Sequence, residues 1–161
     1  MKKFIAISAT VLSLVLVGAG CSKEASETKE TGSAAGAAAG QGNGPAAVRA
    51  AFQNAKISFS AKDKTAAAKS ALGADGALVA SFTEYKFEGS DLIVLIGEAT
   101  DASNRPMLGS KLSDIVKAQA TATGLEYSSI GGLNDPKWFG YVLEKSGQID
   151  TKIKVLGTIS Q

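Results

Sequence analysis

The side chains able to do chemistry in this chain are few, and their kinds narrow the choice. There is no histidine among the 161 residues. That removes the commonest general base and the imidazole zinc ligand, and with them Ser-His-Asp and Cys-His catalysis. The one cysteine, Cys21, has no disulfide partner in the chain. Asp91, Asp101, Asp114 and Asp135 are scattered carboxylates at turns and caps. Two of them converging in a pocket would make an acid–base pair, whereas helix capping accounts for Asp135, directly before Pro136, and fits Asp101 nearly as well. The glycine loops "GADG" (73–76) and "SIGGL" (129–133) match neither nucleotide fingerprint, G-x-G-x-x-G after a strand or G-x-x-x-x-G-K-[ST], and read as turns. No catalytic residue, metal-ligand set or cofactor motif emerges.

Binding chemistry is better represented. Trp138, Phe139 and Tyr141 crowd one predicted helix beside Lys137 and Lys145, a combination that serves as a membrane-interface anchor. The competing reading is core packing, with Phe139, Val142 and Leu143 on one helical face and Trp138 left exposed. Lys152 and Lys154 project from one side of a predicted final strand. Together with Lys137 and Lys145 they make a modest basic patch for anionic lipid headgroups, or else the solvated face of an edge strand that resists aggregation.

The charge balance and the N-terminus say where such a domain works. The chain has 17 basic and 15 acidic residues, too even a balance to attract nucleic acid broadly. Met1, Lys2 and Lys3 form a cationic head, Phe4 to Val17 an apolar run, and Gly18, Ala19 and Gly20 a small-residue site before Cys21; this is the layout of a secretory signal. The run is shorter than the roughly 20 residues a membrane span needs. A lone cysteine directly after the small residues resembles the lipobox of bacterial lipoproteins, although Gly18 stands where that family prefers Leu. The resemblance implies cleavage before Cys21, a diacylglycerol on its sulfur and an acylated amino terminus, and hence a partner in membrane lipid. Ser22, in place of a retention-type Asp, implies an outer-membrane protein facing the periplasm in a two-membrane host.

The elements that must position these residues begin after a linker. Residues 21–44, with "SKEASETKETGSAAGAAAGQGNG" after the cysteine, contain no aromatic or branched aliphatic residue, which predicts a flexible tether with a reach of roughly 25–30 Å. Residues 45–161 hold every Trp and Tyr and all Phe but Phe4, one small domain. Val48, Ala51, Phe52 and Ala55 are spaced for a helix after Pro45. "KISFSAKD" (56–63) is an extended piece or a loop. Asp63 or Thr65 caps a helix through "AAAKSAL" that Gly73 ends. "TEYKFE" (83–88) alternates as a strand, and "LIVLI" (92–96) is a fully covered one, joined to it by "GSD" in a hairpin. A helix from Pro106 buries Leu108, Leu112, Ile115 and Val116 and stops at Gly124. "LEYSSI" (125–130) is a strand, 136–146 a helix, and "IDTKIKVLGTI" (149–159) a strand with one buried face. The expected class is α+β: a mixed sheet of about four strands with helices packed on one face.

The stretch 69–101, its following helix, and "GLEYSSIGGL" (124–133) resemble the BON domain of bacterial envelope proteins. The features that carry this are Ala71-Leu72, Asp75, Leu78, Gly89, Gly97 and Gly124-Leu125. Pro106 and the additional elements after residue 133 depart from that pattern. The resemblance implies a BON-like core over about 69–133 and a non-enzymatic envelope lipoprotein that associates with anionic phospholipid or an envelope protein and supports envelope integrity. The alternative is a protein-binding accessory or surface ligand-binding module.

Overall fold

The computed structural model describes residues 28–30, 45–131, 133–146 and 149–160. The expected signal segment, Cys21 and most of the expected tether lie outside the described residues. In chain order the elements are β1 (Thr28–Glu30), α1 (Pro45–Asn54), β2 (Phe59–Asp63), α2 (Thr65–Leu72), β3 (Val79–Phe87), β4 (Ile93–Ala99), α3 (Arg105–Thr123), β5 (Glu126–Ile130), β6 (Trp138–Glu144) and α4 (Ile149–Ile159). Short 3-10 turns at Gly73–Leu78 and Ala102–Asn104 precede β3 and α3. The fold is α+β.

The sheet runs β1-β2-β3-β4-β6-β5, and every neighbouring pair is antiparallel. The expected mixed sheet is corrected on this point: β4 and β5, joined through α3, run in the same direction, but β6 lies between them and pairs antiparallel with both, so no two hydrogen-bonded strands are parallel. Three residues of the expected tether, Thr28–Glu30, pair with the outer edge of β2. β6 lies between β4 and β5, so the sheet over 69–133 is continuous only through a strand from beyond it.

Helices cover both faces rather than one. Val48 and Phe52 of α1 and Val155 and Ile159 of α4 pack on Tyr85, Val94 and Val142. On the opposite face, Ala68 of α2 and Leu108, Leu112 and Val116 of α3 pack on Phe82, Leu95 and Tyr141. The reason is legible in β4, whose side chains are apolar on both sides: Val94 and Ile96 enter the first layer, Leu95 and Ala99 the second. Phe52 anchors the first layer, meeting Phe59, Tyr85 and Phe87 edge-on with ring centroids 5.2–5.5 Å away. A register shift between Val79 and Ser81 lets Val79 share a face with Phe82 although the two are an odd three positions apart.

Two element assignments are exchanged relative to expectation. Residues 138–144 are a strand, not a helix, and all seven are buried. Asp135 does cap, but its Oδ1 accepts the Lys137 amide at 2.8 Å in a turn that opens a strand. Residues 149–159 are a helix, with Val155 and Ile159 buried one turn apart and Ile153 exposed. Elsewhere the helix and strand expectations agree with the structure. "KISFSAKD" resolves to β2, Gly124 ends α3 in the left-handed region at φ 68°, and Asp63 Oδ1 accepts the Thr65 amide at 2.8 Å to start α2. Ile115 leaves the buried stripe of α3, where Ala120 takes part instead.

Candidate functional site

Trp138 is buried at 6 % exposure, correcting its expected place at the surface. As the first residue of β6 it turns toward the α1 and α4 layer with Ile130 and Val142. Its carbonyl accepts Arg105 Nε at 2.6 Å, and its indole Nε1 is buried without a hydrogen-bond partner. Phe139 and Tyr141 point to the other layer. The three aromatics therefore build the core and make no surface anchor.

The four lysines do not form one patch. Lys137 precedes β6 and Lys145 follows it, about 26 Å apart at the 3.3 Å rise of a strand. Lys145 pairs with Asp91 at 3.2 Å, both side chains largely exposed. Lys152 pairs with Glu144, whose carboxylate is mostly buried. Lys152 and Lys154 share a helix rather than a strand, and two residues of helix turn them to opposite sides of it. Lys154 alone faces an open cleft.

The carboxylates are likewise dispersed. Asp91 precedes β4 and Asp101 follows it, so they sit at opposite ends of the strand. Asp101 accepts the Ser103 hydroxyl at 2.7 Å and the Ser103 amide at 2.8 Å. These two bonds hold its carboxyl below the ordinary carboxylate range. Asp135 is engaged in its turn, and Asp114 lies on the exposed side of α3. Among the described residues no group of three His, Cys, Asp or Glu comes together to hold a metal, and no helix is long and apolar enough to cross a membrane.

A concave surface does exist where the end of α1, the start of β2, the end of β3 and the start of α4 meet, enclosing about 490 Å³. Its geometry starts with the last turn of α1. The Ile57 amide reaches back to the Phe52 carbonyl at 2.9 Å and the Lys56 amide to the Gln53 carbonyl at 3.0 Å, the double bond pattern of a Schellman cap. Ile57 is buried beside Phe52, which supplies the hydrophobic closure of that motif. Lys56 occupies the left-handed position at φ 53°, where glycine is favoured. Sequence reasoning passed over Lys56. The available signal was a charged residue two positions after the helix of 45–54, followed by the apolar Ile57.

No protein-family model, curated protein or solved structure matches the chain.

Proposed function

We propose that this chain is a non-enzymatic lipoprotein of the bacterial envelope, held by acyl chains on Cys21 to the outer membrane facing the periplasm. Its α+β domain associates with membrane phospholipid or an envelope partner and supports envelope integrity. The observation that carries this reading is the signal-like N-terminus ending on small residues and the chain's only cysteine. The BON-like stretch over 69–133 is consistent with it. Placement of the lysines weights the two arms: Lys145 and Lys152 are held by acidic side chains, leaving less free positive charge for an anionic surface and favouring a partner contact.

The test is metabolic labelling with palmitate in a bacterial host. Label on the native chain and none on Cys21→Ala is expected; label that persists in Cys21→Ala sinks the anchor. Flotation of the Cys21→Ser chain with anionic and neutral vesicles then separates the arms. Salt-sensitive binding to anionic vesicles alone supports lipid recognition by the domain, and absence of binding supports a partner. A second reading, a surface ligand-binding lipoprotein module, is favoured by the cleft at the α1–α4 junction.

A further inference from the structure

We propose that β1 straps the domain to the membrane in one orientation, with the end of the sheet that carries Asp63, Thr100 and Lys137 toward the lipid surface. The inference rests on the reading of Cys21 as the membrane anchor and adds which surface of the domain meets the headgroups. Thr28, Lys29 and Glu30 pair antiparallel with Ala61, Ser60 and Phe59. The chain therefore enters β1 from the Asp63 end of β2 and leaves it at the Phe59 end. Only residues 22–27 stand between Cys21 and Thr28. That stretch of chain spans at most about 25 Å, against about 85 Å from Cys21 to Pro45 with β1 released.

The register identifies the end that this short connection draws in. Asp63 lies opposite Thr83, Phe82 opposite Gly97, and Gly97 opposite Phe139. Backbone bonds fasten the connections there: the Lys64 amide donates to the Phe82 carbonyl at 2.8 Å, the Thr100 amide to the Leu78 carbonyl at 2.8 Å, and the Ala99 amide to the Lys137 carbonyl at 3.0 Å. Thr100 and Asp101 are exposed, and Lys64 and Lys137 half-buried. The other end carries Gly89, Ser90 and Lys145, since Phe59 lies opposite Phe87 and Ile93 opposite Leu143. The nine residues of β3 set the two ends about 30 Å apart. A chain that leaves β1 past Asp63 brings the first end to the lipid and holds the second away from it. The cleft lined by Ile57, Phe87 and Val155 belongs to the second end and stays clear of the membrane.

Charge does not set this orientation by itself. Lys64, Arg105 and Lys137 at the first end stand among Asp63, Asp101 and Asp135, so an anionic surface meets both signs there. Direction comes from the strap. Because β2 also pairs with β3 over all of Phe59–Asp63, release of β1 leaves the rest of the sheet in place.

The experiment couples the chain from Cys21 onward, which contains every described residue, through its only thiol to a maleimide-headgroup lipid in phosphatidylcholine nanodiscs. The coupling supplies the anchor chemically, so a failure of acylation in the cell and a failure of the strap are distinguishable. Nitroxide-headgroup lipid in the same nanodiscs is expected to remove most of the amide signal of Lys64, Thr100 and Lys137 and to leave that of Gly89, Ser90 and Lys145. Broadening that is equal at the two ends, confined to the second, or absent from both overturns the proposal. Thr28→Pro with Lys29→Pro deletes two successive amides, one of which is directed at β2, because neighbouring residues of a strand turn their amides to opposite sides. In that variant the difference between the ends should be lost, and amide exchange should rise at whichever of Ser60 and Ala61 faces β1. A difference that persists overturns the strap as its cause, and exchange unchanged at both residues overturns the docking of β1.

Discussion

Phe82 on β3 and Phe139 on β6 are separated by the full width of β4, yet their rings lie stacked, with centroids 6.3 Å and planes 25° apart. The β4 residue in register with both is Gly97, and the absence of a side chain there opens the space in which the two rings meet. A Cβ at Gly97 would fall well inside contact distance of the Phe139 ring and within 2.9 Å of Phe82. Gly97→Ala should therefore cost about 1–3 kcal/mol in urea denaturation, the usual penalty of overpacking. In the double variant with Phe139→Leu the two losses should be less than additive. Strict additivity would mean that the rings are not what Gly97 accommodates.

Lys56→Gly is expected to act in the opposite direction on stability. Lysine at φ 53° carries a left-handed penalty of roughly 1–2 kcal/mol, part of which glycine returns through the greater freedom of its unfolded chain. A net gain of about 0.5 kcal/mol in the unfolding free energy from urea denaturation is the expected outcome. Lys56→Ala, which keeps a Cβ, should show no such gain. If both variants shift stability equally, the strain at this cap is not the cause.

The hairpin of β3 and β4 was readable because Tyr85 and Phe87 alternate with Lys86 and Glu88, a pattern with period two and no helical counterpart. The exchange of β6 and α4 has an equally specific origin. "WFGYVL" places Phe139, Val142 and Leu143 on one side of a notional helix, but it is apolar all round, and a short apolar run carries no period of its own. Its place between β4 and β5 buries both sides and decides the matter. In "IDTKIKVLGTI" the lysines at 152 and 154 mimic strand alternation, while Val155 and Ile159 carry the helical spacing that tertiary packing selects. The cleft could not be read at all, since it joins Lys56 to Lys154 across almost the entire domain and exists only if 149–159 is helical.

The two ion pairs near the β6–α4 connection should differ in weight. Lys145 and Asp91 are both more than half exposed, so Lys145→Ala should change stability by less than about 0.5 kcal/mol, and by less still in high salt. Glu144 is only 8 % exposed, and removing Lys152 leaves a buried carboxylate without its cation. Lys152→Ala should cost about 1–3 kcal/mol, and adding Glu144→Gln should recover part of that loss. Equal effects of Lys145→Ala and Lys152→Ala in thermal melts would contradict the burial argument.

Tyr141 ties stability to alkaline pH. Its hydroxyl donates to the Gly109 carbonyl of α3 at 2.6 Å, and its side chain is buried. Burial, with smaller contributions from Tyr127 and Asp114, raises its pKa well above the ordinary tyrosine value. The folded chain thus keeps a proton that the unfolded chain loses above about pH 10. Unfolding releases that proton, so the contribution is fully present below pH 10 and declines as pH rises, by up to about 1.4 kcal/mol per pH unit. Tyr141→Phe should be less stable than the native chain by about 1 kcal/mol at pH 8, having lost one hydrogen bond. The difference should close as urea midpoints are followed from pH 10 to pH 11, because the phenylalanine variant has no proton to release at this position. Two curves that stay parallel over that range would show that Tyr141 ionises as readily in the folded domain as in the unfolded chain.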